Sequence, residues 1–184
     1  MTDALGTALL IRARNAIAAE LGAPTVPEPD HPALAEPGAT FVTLTQEGHL
    51  RGCIGSLEAS RPLDADVRSN ARAAAFSDPR FSPLRPSELQ RTRVEVSLLQ
   101  PARPIAFTDE ADAVRQLRPG IDGVILEWDG RRGTFLPQVW ENLHEPQLFL
   151  NLLKQKAGLP ADFWAPDVWL HRYEVQKWKE PQKF

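Results

Sequence analysis

The sequence predicts an α+β fold, a mainly antiparallel sheet with packed helices, on three observations. Two pairs of short runs rich in β-branched and aromatic residues, spanning Thr40 to Ile54 and Val124 to Leu136, each flank a tight-turn signal. Helical periodicities of unequal length separate these hairpins, whereas a doubly wound parallel sheet needs a crossover helix after every strand. The chain has 184 residues, enough to bury about 70 % of its unfolded surface in one domain or two lobes sharing a core.

The elements follow in order. Leu5, Leu9, Ala13, Ala16, Ile17 and Leu21 recur at three- and four-residue spacing, predicting a helix from Asp3 to Leu21 that Gly22 and Pro24 stop. The prolines from Pro24 to Pro37 make the next stretch an extended surface connection, loosely held at its centre. Thr40 to Thr45 and Leu50 to Ile54 read as strands around a Glu47-Gly48-His49 turn. Leu63, Val67, Ala71, Ala74 and Ala75 mark a helix between Pro62 and Phe76, and Asp78-Pro79 ends it in a loop reaching Leu84. Arg93 to Leu99 alternates as a half-buried strand with Glu95 off the core face. A short helix from Asp109 to Leu117 precedes strands Val124 to Trp128 and Arg131 to Leu136, joined by the hairpin dipeptide Asp129-Gly130. A helix opening near Pro146 ends before Gly158, and Val168 to Trp178 reads as one closing strand that returns to the sheet.

Composition excludes several function classes. A net charge of −3 and a pI near 5.8 argue against a protein built to hold a phosphate backbone, and Arg85, Arg91 and Arg93 make only a local patch. No apolar run approaches the ~20 residues needed to span a bilayer. One cysteine forms no internal disulfide, and the N-terminus lacks a secretory leader pattern, so a soluble cytoplasmic chain is expected. His31, His49, His144 and His171 show no metal-ligand spacing, and no metal site is predicted. Serine-hydrolase, P-loop and dinucleotide motifs are absent from the sequence. Trp140, Trp164, Trp169 and Trp178 read as packing residues before they read as a stacking surface.

The most unusual chemistry lies in Leu50-Arg51-Gly52-Cys53-Ile54-Gly55, where the lone cysteine stands between two glycines. Strand alternation puts Arg51, Cys53 and Gly55 on one face and Leu50, Gly52 and Ile54 on the other. A guanidinium beside the sulfur favours the thiolate, and the glycines admit a ligand or a second backbone. Cys53 is thus expected as a low-pKa thiol, with packing as a small hydrophobe the plain alternative. Arg51 stabilises the thiolate or binds an anion, and Glu95 or His49 moves protons.

Phe41-Val42-Thr43-Leu44, the cysteine motif, Asp78-Pro79-Arg80-Phe81, Glu95-Val96-Ser97-Leu98-Leu99, Phe135-Leu136-Pro137-Gln138-Val139-Trp140 and Lys156-Ala157-Gly158-Leu159 occur in the order found in the AMMECR family. The chain resembles that family over almost its whole length; bacterial members are called AmmeMemoRadiSam system protein A. The resemblance implies a single α+β domain with a larger and a smaller lobe and a cleft between them. It also implies association with a Memo-like protein and a radical S-adenosylmethionine protein; it assigns no reaction and no cofactor. The candidate catalytic residues are Cys53, Arg51 and Glu95, and the candidate ligand-binding residues are Gly52, Gly55, Arg80 and Gln138. Two functions stay open, a cysteine-dependent enzyme component and a non-catalytic adaptor that docks one of those partners.

Overall fold

In chain order the elements are α1 (Ala4–Glu20), β1 (Thr40–Gln46), β2 (His49–Gly55), α2 (Leu63–Phe76), β3 (Thr92–Leu99), β4 (Arg103–Pro104), α3 (Glu110–Gln116), β5 (Gly123–Trp128), β6 (Arg131–Phe135), α4 (Pro146–Lys156), β7 (Trp169–Tyr173) and β8 (Val175–Lys179). Short 3-10 turns occupy Pro32–Ala35, Pro86–Arg91 and Pro137–Glu141. The structure, a computed structural model, describes residues 3–182. It divides into two units, one running to Leu99 and resuming at Gln176, the other Gln100–Val175. The α+β class is as the sequence predicts, but each unit has its own four-stranded sheet, in the orders β2-β1-β3-β8 and β4-β7-β5-β6. β1 pairs antiparallel with β2 and β3, and β7 pairs antiparallel with β4 and β5, as β5 does with β6.

The closing stretch expected as one strand is therefore two. The chain leaves the second sheet at Tyr173 and enters the first at Val175. Alternation along a strand says which residues share a face and nothing about which neighbour each half pairs with.

In the first unit Asp3 caps α1 by accepting from the Gly6 amide at 2.7 Å, and Gly22 follows the helix with a φ of +69°. Leu9, Ala13 and Ile17 of α1 join Val67, Ala71 and Ala74 of α2 and Val42, Leu44, Val94 and Val96 of the sheet in one core. The proline-rich connection is fastened at its centre, contrary to expectation. Asn15 exchanges hydrogen bonds with both backbone groups of Val26, Arg12 donates to Pro29 O at 2.6 Å, and Glu28 pairs with Arg68. Those partners are polar residues on buried helix faces, which apolar periodicity does not reveal. In the second unit Phe149, Leu150 and Leu153 of α4 pack with Trp140, whose ring stacks on Phe149 at 3.8 Å. Among the described residues no helix is long and apolar enough to cross a membrane.

Both hairpins turn on two residues in the left-handed region: φ is +51° at Glu47, +79° at Gly48, +47° at Asp129 and +73° at Gly130. His49 is thereby the first residue of β2 and not part of the turn.

Helix α2 lies so close to β2 that a Cβ at Gly52 would stand 2.1 Å from the carbonyl oxygen of Ala74. Backbone on both sides leaves no flexible atom to yield. Gly52→Ala is expected to lower unfolding stability by about 3 kcal/mol, the upper end of overpacking costs. Gly22→Ala, in open space but at positive φ, should cost only about 1 kcal/mol. The midpoints of urea denaturation compare them.

Candidate functional site

β2 is an edge strand of its sheet, and its pairing with β1 is interrupted. Thr45 pairs with Leu50 and Leu44 with Gly52, so Arg51 is the extra residue of a β-bulge. Strict alternation fails there, with direct consequences for the side chains on either side.

Arg51 does not lie beside the sulfur. Its Nε and Nη2 donate to the two carboxylate oxygens of Glu88 at 3.1 and 3.2 Å. Glu88 sits on the turn Pro86–Arg91 and also accepts from the Arg85 amide at 2.8 Å and from Gln46 Nε2 at 3.3 Å. The Arg51 hydrogen bonds, helped by those of Arg85 and Gln46, draw the Glu88 carboxyl down to about 2 against the desolvation that raises it.

Cys53 is held by its peptide groups. Its amide donates to Asp78 Oδ2 at 2.9 Å, and its carbonyl accepts from Arg80 Nη2 at 3.4 Å. Arg80 in turn grips Asp78 through Nε, Nη2 and its own amide at 3.0, 2.8 and 3.0 Å. Arg80 first, then the two amides, hold the Asp78 carboxyl far below the usual carboxylate range. Because both backbone groups of Cys53 point away from β1, Cys53 and Thr43 form a non-hydrogen-bonded cross-strand pair, the kind whose side chains stand closest. Sγ lies 3.3 Å from Thr43 Oγ1. Thr43 registers in turn with Glu95 on β3. Cys53, Thr43 and Glu95 thus form a row across the sheet, on the face opposite the core residues Val42, Leu44, Val94 and Val96. Beyond Glu95 stand Lys179 at 2.9 Å and Lys177 at 4.0 Å, both from β8.

The structure corrects the expected low-pKa thiol. Burial pushes the Cys53 thiol up, and the charges of Asp78 and Glu95 add to this, while the Thr43 hydroxyl and Arg80 oppose it. Gly52 admits a second backbone, as the sequence predicts, and Gly55 admits a neighbouring ring. Neither Gly52 nor Gly55 has a positive φ; a Cβ at 52 meets Ala74 O, and one at 55 meets the Phe41 ring at 2.2 Å. Both are small because protein already fills the space beside them. Glu95 is off the core face, as the alternation of its strand predicts, and the sheet register brings it into the cysteine's row. Arg80 touches the cysteine's own peptide. Gln138 is exposed on the turn Pro137–Glu141 of the second unit, and His49 is exposed at the start of β2, outside the row. Among the described residues no group of three or more His, Cys, Asp and Glu is arranged to hold a metal.

Sequence reasoning passed over Thr43, Asp78 and Glu88. Counting back from the Glu47-Gly48 turn without a bulge pairs Thr43 with Gly52. The one available signal is Gly52 itself, since glycine inside a strand often marks a bulge.

The AMMECR1 family model matches residues 10–178. The chain belongs to the AMMECR1 family. A protein from Methanothermobacter thermautotrophicus is 42 % identical over 142 residues, covering 76 % of this chain and 74 % of its own length. One from Methanopyrus kandleri is 36 % identical over 188 residues, covering 96 % and 89 %. The crystal structure of an uncharacterized protein from Pyrococcus horikoshii matches this AMMECR1-family chain with a TM-score of 0.84 at 33 % identity, covering 98 % of this chain and 93 % of that one.

A depressed carboxyl stabilises the fold above its unfolded pKa, and that contribution is lost as pH falls through the folded pKa. For Glu88, drawn from 4.5 to about 2, the contribution at neutral pH is roughly 3 kcal/mol. Glu88→Gln should therefore be destabilised by about that amount at pH 7, and the gap to wild type should close between about pH 4.5 and pH 2 as the wild-type carboxylate protonates. Urea midpoints measured across that range check both halves.

Proposed function

We propose that this AMMECR1-family chain is a thiol-dependent component of the AmmeMemoRadiSam system, with Cys53 as nucleophile or covalent anchor and Glu95 as the group that receives its proton. The observation that carries the reading is the row Cys53, Thr43, Glu95 on a sheet face that the core does not use. A hydroxyl both donates and accepts, and Thr43 neighbours the sulfur and registers with Glu95 on the next strand, which supports a route for the thiol proton toward that carboxylate. The raised thiol supports a latent nucleophile, protonated at rest and dependent on a base, in place of a permanently ionised one. Asp78 and Arg80 are positioning residues: they fix the cysteine's peptide and leave the sulfur to the row. Arg51 holds Glu88 and is outside this chemistry. A Memo-like protein and a radical S-adenosylmethionine protein are the proposed partners, in a reducing cytoplasm where a free thiol persists. Membership of the family supports that part of the proposal.

One observation favours the adaptor reading instead. Leu50, the first residue of the motif, and Leu57, just beyond it, are 43 % and 39 % exposed, an apolar edge that a partner protein would cover.

Alkylation of Cys53 by iodoacetamide as a function of pH tests the thiol. The rate should be low at neutral pH and rise above the ordinary thiol value of about 8.5. Glu95→Gln removes a charge that disfavours the thiolate and should move the profile to lower pH. Thr43→Val removes a hydrogen bond that favours it and should move the profile to higher pH. A folded chain that resists alkylation throughout, or a profile that neither variant moves, would leave Cys53 a packing residue. Binding of the Memo-like partner by wild type and Leu50→Glu would then decide the adaptor reading.

A further inference from the structure

Between β2 and the turn Pro86–Arg91 the first unit has a cavity of about 300 Å³ lined by three arginines, Arg51, Arg85 and Arg91. We infer that this cavity binds the phosphoryl group of a small phosphate monoester. Phosphoryl binding here requires nothing of Cys53.

The charge of the lining selects the ligand class. Three arginines against one carboxylate, Glu88, leave a surplus of two positive charges. A carboxylate ligand would neutralise half of that. A phosphate monoester, whose second pKa lies near 6, is largely a dianion at neutral pH and neutralises all of it. The lining suits it as well. The Arg51 guanidinium is fixed on Glu88 by two hydrogen bonds, and its side chain is only 13 % exposed. Its third nitrogen, Nη1, is shielded from solvent and has no hydrogen-bond partner among the described residues. Nη1 is out of reach of a ligand in the open cavity, so Arg51 acts there as a fixed positive charge.

The other two arginines of the lining, Arg85 and Arg91, are exposed. Arg91 is 62 % exposed and approaches Glu88 no closer than 3.9 Å. Ser82 and Ser87 add two hydroxyl donors to the lining. Phe81 completes it with an apolar wall, its ring centroid 5.9 Å from the Arg51 guanidinium carbon. That wall is suited to the organic part of an ester. The arginine cluster of the second unit is different: Arg118 and Arg172 both reach the fully buried Asp122, at 2.7 and 3.5 Å.

Calorimetric titration of the full chain at low salt with phenyl phosphate, inorganic phosphate and benzoate tests the assignment. Saturable binding of phenyl phosphate is expected, weaker at about pH 5 than at about pH 7.5 because the ligand gains a proton. Benzoate should bind at least about tenfold more weakly. Inorganic phosphate binding as well as the ester would make the phosphoryl group sufficient, with free phosphate a ligand in its own right. A clear preference for the ester would show that Phe81 contributes. The double variant Arg85→Ala/Arg91→Ala changes only exposed side chains and keeps the Arg51–Glu88 pair; it should weaken phenyl phosphate binding by at least about tenfold with an unchanged urea midpoint. No saturation by about 10 mM phenyl phosphate, equal binding of benzoate, or undiminished binding by the double variant would overturn the assignment.

Discussion

The contact between α2 and β2 at Gly52 governs the rest of the first unit. With the Ala74 carbonyl lying where a side chain would stand, helix and strand meet almost backbone to backbone, and α2 ends at Phe76 with its last turn over the strand. Asp78, two residues on, arrives at the Cys53 amide. A second anchor fixes the other end of the same helix: the buried Asp66 accepts from the Thr40 amide and hydroxyl at 2.7 Å each, from Ser56 at 2.6 Å and from Arg61 at 2.8 Å. A carboxylate so deeply buried is tolerated because its oxygens are filled by donors, and losing any one of them leaves an expensive vacancy. Edge strands are prone to pair with other chains. Here Asp78 and Arg80 occupy the outward amide and carbonyl of Cys53, so the clamp that positions the thiol also blunts the edge.

The same arrangement explains why arginines so near a cysteine do not make it a thiolate. Each is paired with a carboxylate before it can act on sulfur: Arg51 with Glu88, Arg80 with Asp78. Asp78 is almost completely buried and Arg80 half exposed, so the acid is the less screened member of that pair. Its charge offsets much of the guanidinium's attraction for a thiolate, and burial then decides the direction.

Much of this was legible from the sequence, for physical reasons that also mark where legibility stops. Helix spacing and turn chemistry are local, so α1, α2, α4 and both hairpins lie within a residue or two of where Leu9, Val67, Leu153, Glu47-Gly48 and Asp129-Gly130 put them. Glu95 was legible because its strand alternates without interruption. Arg51 was misplaced because a bulge shifts register by one residue without changing composition, and one residue carries a side chain to a different set of neighbours. The division into two sheets was hidden for a related reason. Pairing partners are chosen across long sequence separations, and nothing in Val168 to Trp178 announces that Tyr173 and Val175 serve different sheets. Asp78 was visible as a helix stop and as part of the Asp78-Pro79-Arg80-Phe81 motif, but not as the partner of Cys53, because a side chain that takes a backbone amide from a distant strand leaves no periodic trace.

The thiol's surroundings finally depend on the last strand of the chain. Lys177 and Lys179 alternate along β8 and therefore share a face, and both reach Glu95. At 37 % and 54 % exposure their ion pairs contribute little to stability. Their effect is electrostatic: they partly neutralise the carboxylate whose charge raises the thiol. β8 is itself well fastened, since Glu180, just past its end, accepts from the Val94 amide at 2.9 Å and pairs with Arg14 of α1. The chain thus completes the charge balance around Cys53 only after it has built the second unit and returned. The carboxylate that registers in the cysteine's row is partly neutralised by side chains laid down more than eighty residues later in the sequence.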